Sequence, residues 1–353
     1  MAQSVRDVNI SNIEPLIAPE ALQRRVPLTP SAAETIVEGR KAVERILGGD
    51  DPRMLVIVGP CSIHDEKAAL EYADRLGALA ERLADRILIV MRVYFEKPRT
   101  VLGWKGFIND PNLDGSFDVS DGLYRARKLL LELAERGLLA GTEFLDPIVP
   151  QYIADLVSWA AIGARTTESQ LHREMASGLS MPVGFKNGTD GNSQIAVDAM
   201  NTARAPHSFL GIDMDGRTCV VQTTGNAYGH LILRGGVSGS NYASSTVAAV
   251  QAQLTGAGLP PRLMVDCSHA NSEKDYRRQA IAFRDVIGQR VEGDRNIVGL
   301  MVESNLADGR QDLGDDPSKL RYGVSVTDAC IGWDETDALL TEAHQALSLQ
   351  PVS

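Results

Sequence analysis

Four cysteines in 353 residues are too few, and Cys61, Cys219, Cys267 and Cys330 too scattered, for a disulfide scaffold. No CxxC occurs, and the pattern suits a reducing, cytoplasmic compartment. Positive charge is scarce as well: 35 Lys and Arg stand against 46 Asp and Glu, a formal net charge of −11. The molecule as a whole repels nucleic acid and anionic membranes, so neither is expected as a partner. No run of about 18 apolar residues is present to span a bilayer. The opening MAQSVRDVNISN lacks the basic-then-apolar layout of a signal peptide. No GxGxxG follows a strand-like run, which weakens a dinucleotide-binding reading. Short-period repeats and low-complexity tracts are absent too.

What is present is alternation. Near-continuous apolar runs, the pattern of buried parallel strands, fall near 54–59, 87–93, 140–144, 160–165, 182–186, 230–234, 263–267 and 297–302. Helix candidates lie between them at 66–84, 121–137, 150–160, 192–204, 242–258 and 276–293. Leu123, Ala126, Leu130 and Leu133, for example, recur at helical spacing. Eight strand–helix units favour an α/β fold of the (β/α)8 TIM-barrel kind over an open sheet. Two segments exceed a minimal barrel. Residues 1–50 form an N-terminal extension with a helix from Pro30 to about Leu47, and 207–226 reads as an inserted β-hairpin before the sixth strand, turning at Asp215-Gly216. The barrel then spans 51–345, and 346–353 reads as a frayed tail.

Strand ends carry the chemistry. Arg92, Arg165, Lys186 and Arg234 each end an apolar run, and in a barrel all these ends meet on one face. Four cations on one rim repel each other and call for an anion. Cys61, His269 and Glu303 follow other strands, and Asp328 lies in the loop after the last. This mixed soft and hard set suits Mn²⁺, Fe²⁺, Co²⁺ or Zn²⁺. Cys61 reads equally well as a small buried apolar side chain, and His269 as a hydrogen-bonded strand-end histidine. Cys219, Cys267 and Cys330 read as structural. The turn Lys97-Pro98-Arg99-Thr100 adds a second cationic point, suited to a second phosphate. Glu143, ending the third strand, is either a counter-ion for arginine or a residue that orients water. The pattern implies two phosphorylated substrates, or one bisphosphate.

These residues sit in longer motifs: GPCSIHD, MRVYFEKPRTVLGWKG, GARTTESQLHREMASGLSMPVGFKNGTDG, ILRGG, DCSHANS, MVESN and SVTDACIGW. Together they resemble 3-deoxy-D-arabino-heptulosonate 7-phosphate (DAHP) synthases of the type I alpha subclass, in order from about residue 5 to 345. The resemblance implies a transferase that condenses phosphoenolpyruvate with erythrose 4-phosphate, the first step of the shikimate pathway to chorismate and the aromatic amino acids. It implies that Cys61, His269, Glu303 and Asp328 hold a divalent metal. Arg92, Arg165, Lys186 and Arg234 are then expected to hold phosphoenolpyruvate, and Lys97, Arg99 and Thr100 erythrose 4-phosphate. Lys97, Lys186 and Glu143 are the expected catalytic proton carriers.

Feedback inhibition by an aromatic amino acid is implied as well. The expected effector pocket comprises Pro150, Gln151, Met175, Leu179, Ser180, Phe209, Gly211 and Val221, closed by Asp7 and Ile10 of a neighbouring subunit. Without the resemblance, Phe209 and Val221 read as hairpin core. Gly211 leaves space that favours tyrosine over phenylalanine and leaves tryptophan open. An arm reaching a neighbour requires a homodimer or homotetramer. Two rivals are a related synthase using a five-carbon sugar phosphate and a non-catalytic barrel that senses aromatic amino acids. The KPRT turn and the N-terminal extension argue against the first. The second would be expected to lack a ligand or a cation, and none is missing.

Overall fold

The computed structural model describes residues 5–314 and 316–349; residues 1–4 of the N-terminal extension and 350–353 of the expected tail lie outside the described residues. Helices α1 (Pro19–Arg25) and α2 (Pro30–Gly48) precede the barrel. Then β1 (Met54–Gly59), α3 (Glu66–Leu83), β2 (Ile87–Arg92), α4 (Val119–Glu135), β3 (Leu139–Glu143), α5 (Pro150–Ile153), β4 (Trp159–Ile162), α6 (Gln170–Gly178), β5 (Val183–Lys186) and α7 (Gln194–Ala203) alternate. The hairpin of β6 (Ser208–Ile212) and β7 (Thr218–Gln222) interrupts the series. It resumes with β8 (Gly229–Leu233), α8 (Ser244–Gly256), β9 (Leu263–Asp266), α9 (Gln279–Val291), β10 (Ile297–Glu303) and α10 (Trp333–Ser348).

Eight strands close a barrel in the order β1-β10-β9-β8-β5-β4-β3-β2, with every neighbouring pair parallel. Both faces of the sheet are buried, which is why the strands read as unbroken apolar runs. Met54, Val56, Ile87, Ile89 and Met91 belong to the layer beneath the helices. Leu55, Ile57, Val90, Trp159, Ile232, Met264 and Met301 form a separate inner cluster, joined by Val43, Ile46 and Leu47 of α2. Helix α2 therefore caps one end of the barrel. Its own ends follow local rules: the Thr29 hydroxyl accepts from the Ala32 N–H, and Gly49 takes φ 85° at the C-cap. Arg127, buried on α4, fixes this cap laterally by donating to Asp155, to the Val26 carbonyl and to the Tyr152 carbonyl.

Trp159 fills the inner cluster, and its neighbours make room for it. A Cβ at Gly184 on β5 would lie 2.8 Å from Trp159 Cζ2, and one at Gly141 on β3 would lie 3.0 Å from Cε3. Glycine on both flanking strands is thus the space for one indole.

Three sequence expectations change. The helix expected at 150–160 ends early: α5 stops at Ile153, a 3₁₀ turn covers Ala154–Leu156, and Trp159 opens β4. The aromatic side chain is claimed by the barrel interior, overriding helical spacing. Helices α6 and α10 were not marked by the pattern. The tail expected to fray from 346 is helical to Ser348, because Leu340, Ala343 and Leu347 of α10 are buried. The hairpin falls inside the expected segment, and Gly216 turns it with φ 77°.

His230 on β8 is locked neutral. Its Nε2 accepts the Trp159 indole N–H at 3.1 Å and its Nδ1 donates to the Tyr228 carbonyl at 3.2 Å. Burial lowers its pKa to about 4. Above about pH 6.5 neither the folded nor the unfolded histidine is protonated. As pH falls from there towards 4, only the unfolded chain takes up the proton, so folding weakens by roughly 3 kcal/mol at most. His230→Gln retains an acceptor for Trp159 and does not titrate. Its melting temperature should therefore fall less steeply than the parent's between pH 6.5 and 4. Parallel curves would show that another group governs this limb.

Candidate active site

The C-terminal ends of the strands surround a cavity of about 500 Å³. It gathers Arg92, Glu143, Lys186 and Glu303 from strand ends. From the following loops come Lys97, Arg99, Arg165, Arg234, His269 and Asp328. Cys61 is fully buried beside it. Thr100 is exposed next to Arg99 and is not among the lining residues.

Two of the cations are already neutralised. Arg92 is 1% exposed; Nε donates to the Pro60 carbonyl, Nη2 donates to that of Cys61, and the guanidinium lies 3.6 Å over the Tyr94 ring. Its Nη2 also stands 2.9 Å from Glu303 Oε1. That pair is ionic but too poorly aligned for a hydrogen bond, so Glu303 Oε1 keeps no donor of its own. Burial opposes charge on Arg92, but Tyr94 and Glu303 outweigh it and hold the pKa above the usual arginine range. Lys186 Nζ lies 2.8 Å from Asp266 Oδ2, and both are buried.

Arg165 and Arg234 differ. Among the described residues neither has a carboxylate within 4.0 Å, and both line the cavity. Burial lowers the pKa of Arg234; Asp266 opposes this, and the nearby Arg165 charge adds to it. Arg99 and Lys274 also line the cavity without such a partner, but Arg165 and Arg234 in addition repel each other, so an anion between them is favoured.

Cys61 Sγ, a Glu303 carboxylate oxygen and an Asp328 carboxylate oxygen lie within 4.8 Å of one another. His269 lines the same cavity but stands outside that group. Its Nδ1 is engaged by Asp266 and Ser268, which leaves Nε2 for a ligand. The set fits a divalent ion. A buried carboxylate oxygen lacks a donor, and burial together with Glu303 pushes the Cys61 thiol up to about 11, so its thiolate needs a cation. The Asp328 carboxylate is 65% exposed, yet Lys97 and His269 outweigh desolvation and hold it down near 2. Lys97 Nζ is 3.0 Å from Cys61 Sγ and 3.9 Å from Asp328 Oδ2, placing an ammonium against the ligand group.

Glu143 Oε1 is buried and has no hydrogen-bond partner among the described residues, and a Cβ at Gly163 would lie 2.2 Å from it. Glycine at the end of β4 is the room in which that carboxylate sits. The pattern did not mark Glu96 or Gln279. Glu96 is buried, with its pKa raised by burial to about 8, and accepts from the Leu145 and Asp146 N–H groups. It ties the KPRT loop to the loop after β3. The Gln279 amide brackets Glu303, donating to its carbonyl and accepting its N–H. Glu96 follows the apolar run VYF, a signal without a sequence partner, whereas Gln279 follows Arg277 and Arg278 and carries no local signal.

The expected effector residues are less concentrated. Pro150, Gln151 and Ser180 line a second cavity of about 340 Å³, beside Gln23 of α1, Ile36 and Arg40 of α2 and Met214 of the hairpin. Met175 is buried and Leu179 packs on the core. Phe209 pairs with Val221 across the hairpin, and a Cβ at Gly211 would lie 2.6 Å from Val221 Cγ2. Asp7 and Ile10 are exposed on the N-terminal arm.

A closed parallel barrel with a metal-ligand group beside unpaired arginines defines a barrel enzyme for small, multiply anionic substrates. Residues 27–341 match the model of the DAHP synthetase I family, and the chain belongs to that family. It is 56% identical over 347 residues to phospho-2-dehydro-3-deoxyheptonate aldolase, Tyr-sensitive, of Escherichia coli (strain K12), covering 98% of this chain and 97% of that protein. The Phe-sensitive enzyme of the same organism is 55% identical over 341 residues, covering 97% of each chain. The solved structure of phospho-2-dehydro-3-deoxyheptonate aldolase from Francisella tularensis SCHU S4 superposes with a TM-score of 0.95 at 48% identity. It covers 97% of this chain and 100% of that one. Among the described residues no helix is long and apolar enough to cross a membrane.

Removing a first ligand should cost metal affinity more than the roughly 10–100-fold typical of outer-shell changes. Cys61→Ser should therefore bind Co²⁺ or Mn²⁺ at least about tenfold more weakly in equilibrium dialysis. Equal affinity would remove Cys61 from the ligand set.

Proposed function

We propose that this chain condenses phosphoenolpyruvate with erythrose 4-phosphate to give DAHP and inorganic phosphate. The observation that carries this is one cavity in which Arg99, Arg165 and Arg234 have no carboxylate partner among the described residues, Arg92 and Lys186 are neutralised, and a metal-ligand group lies beside them. Arg165 and Arg234, lacking carboxylate partners, take the phosphate of phosphoenolpyruvate through charge-assisted bonds. Arg92 and Lys186, anchored on Glu303 and Asp266, face its carboxylate. Arg99, with Thr100 beside it, takes the phosphate of erythrose 4-phosphate.

Cys61, His269, Glu303 and Asp328 would hold a divalent ion, with Mn²⁺, Fe²⁺, Co²⁺ and Zn²⁺ all compatible with these donors. When bound, that ion supplies Lewis-acid polarisation of the aldehyde oxygen. The methylene carbon of phosphoenolpyruvate forms the new bond to the aldehyde carbon, and Lys97 Nζ gives its proton to the resulting alkoxide. Water adds to the central carbon, with the Glu143 carboxylate orienting it and receiving its proton, while Lys186, already an ammonium on Asp266, holds the substrate. The phosphohemiketal then releases phosphate by carbon–oxygen cleavage. Positioning two anions against their mutual repulsion is the larger part of the task, and the cation cluster does it.

An aromatic amino acid acts as feedback inhibitor in this reading. The Tyr-sensitive and Phe-sensitive relatives, 56% and 55% identical to this chain, support it. Gly211 inclines the choice to tyrosine, and a tyrosine titration without effect on activity would reject that choice. Exposed apolar side chains on the arm (Val5, Val8, Ile13) and on the hairpin (Leu210, Val220) support a homodimer or homotetramer.

The primary test follows phosphoenolpyruvate by its ultraviolet absorbance, after chelation and again with Mn²⁺ restored. Metal-dependent loss requiring erythrose 4-phosphate is expected. Loss only with a five-carbon sugar phosphate would move the assignment to the related synthase. Lys97→Met should lower kcat by about 10²–10⁴-fold, the usual worth of a general acid; an unchanged kcat would assign that proton elsewhere.

A further inference from the structure

We propose that Asp266 is a positioning residue shared by the metal site and the phosphoenolpyruvate site, one buried carboxylate fixing both His269 and Lys186. This deepens the functional reading above and rests on it for the roles of those two residues. Strand β9 reads LMVD, an apolar strand ending in an acid that is 1% exposed. A buried carboxylate survives only when its lone pairs are used, and here they are. Oδ2 lies 2.8 Å from Lys186 Nζ and 3.0 Å from His269 Nδ1. Oδ1 accepts from the Ser268 N–H at 3.0 Å and from its hydroxyl at 2.6 Å. The Ser268 hydroxyl also meets His269 Nδ1 at 2.7 Å.

The geometry spans the barrel. Lys186 ends β5, and β8 lies between β5 and β9, so the carboxylate reaches past one strand to hold a side chain from the next. His269 needs such a hold. Its backbone sits at φ 60°, a region unfavourable for a residue with a Cβ, and the loop around it is a short 3₁₀ turn. With Nδ1 facing Asp266, Nε2 is turned to the cavity. A carboxylate behind a ligating imidazole fixes its tautomer and orientation and raises its basicity. The same oxygen restrains the Lys186 ammonium, a flexible point charge that otherwise loses side-chain entropy on binding.

A counter-ion role alone would tie Asp266 to Lys186 only, and metal affinity would not depend on it. The test uses the full chain, with Asp266→Asn, Ser268→Ala and His269→Ala beside the parent. Metal affinity is read by titrating the metal-free proteins with Co²⁺ and following its visible absorbance. The KM for each substrate is read at saturating metal. Asp266→Asn should weaken Co²⁺ binding by about 10–100-fold and raise the KM for phosphoenolpyruvate while leaving that for erythrose 4-phosphate unchanged. A change in one of the first two constants without the other overturns the shared role. If Asp266→Asn does not fold, Ser268→Ala decides. A several-fold shift of both constants in the same direction supports the proposal, and none overturns it. His269→Ala separates the two levels. If it binds Co²⁺ as the parent does, the metal-site reading fails and the proposal falls with it. If it loses Co²⁺ while Asp266→Asn does not, the proposal alone is lost.

Discussion

A guanidinium taken wholly out of water must be neutralised from inside the fold, and Arg92 sets that condition for the whole mouth of the barrel. An unpaired buried charge costs several kcal/mol. Its neutralisers come from elsewhere in the chain: Glu303 from β10, the carbonyls of Pro60 and Cys61 after β1, and the face of Tyr94. They converge only if β1 lies between β2 and β10 in register, with Gly59 opposite Glu303. A Cβ at Gly59 would lie 2.8 Å from the Arg92 carbonyl, so glycine there lets the seam close. Barrel closure and site assembly are in this sense one event. The second neutralised cation repeats the logic, with Lys186 of β5 held by Asp266 of β9.

On the proposed reading, one counter-ion is also a metal donor and the other holds a metal-ligating histidine. Glu303 faces Arg92 with one oxygen and belongs to the ligand group with Cys61 and Asp328. Asp266 faces Lys186 and His269 with one oxygen. On that reading, changing Glu303 or Asp266 would alter the substrate side and the metal side together. Gln279, which brackets the backbone of Glu303, extends the constraint into α9.

The strands were legible because burial on both faces writes itself as uninterrupted apolar sequence, and the strand ends followed from it. The sequence alone thus places Arg92, Lys186 and Glu303 on one rim. Partnerships were not legible. Asp266 is visible in LMVD as an acid in an apolar run, but nothing local says that it meets Lys186, eighty positions away. Glu96 and Gln279 are of the same kind. Helical spacing failed at 150–160, where Trp159 is claimed by space that Gly141 and Gly184 leave on adjacent strands. That is a tertiary demand no periodicity contains. The hairpin was legible from its turn and alternation, yet its packing was not. The room at Gly211 is bounded by Val221 on the paired strand, and the second cavity draws its walls from α1 and α2 as well as from Pro150, Gln151 and Ser180.

The charge distribution explains how an acidic chain receives two anions. With a formal net charge of −11, the exterior repels phosphorylated substrates at long range, but a cavity with low-dielectric walls focuses the field of the cations that line it. Those cations are not equivalent. Arg92 and Lys186 are neutralised in place, so on the proposed reading a substrate carboxylate would share them with Glu303 and Asp266 and gain orientation more than attraction. Among the described residues Arg165 and Arg234 face each other's repulsion without a carboxylate, and on the proposed reading a phosphate dianion would relieve it. The favourable part of binding then falls on the phosphate end, and the anchored pair spends it on aiming the carboxylate end. A barrel that neutralised all four arginines and lysines internally would bind weakly. One that neutralised none would not fold with Arg92 inside. The division between the two pairs satisfies both demands.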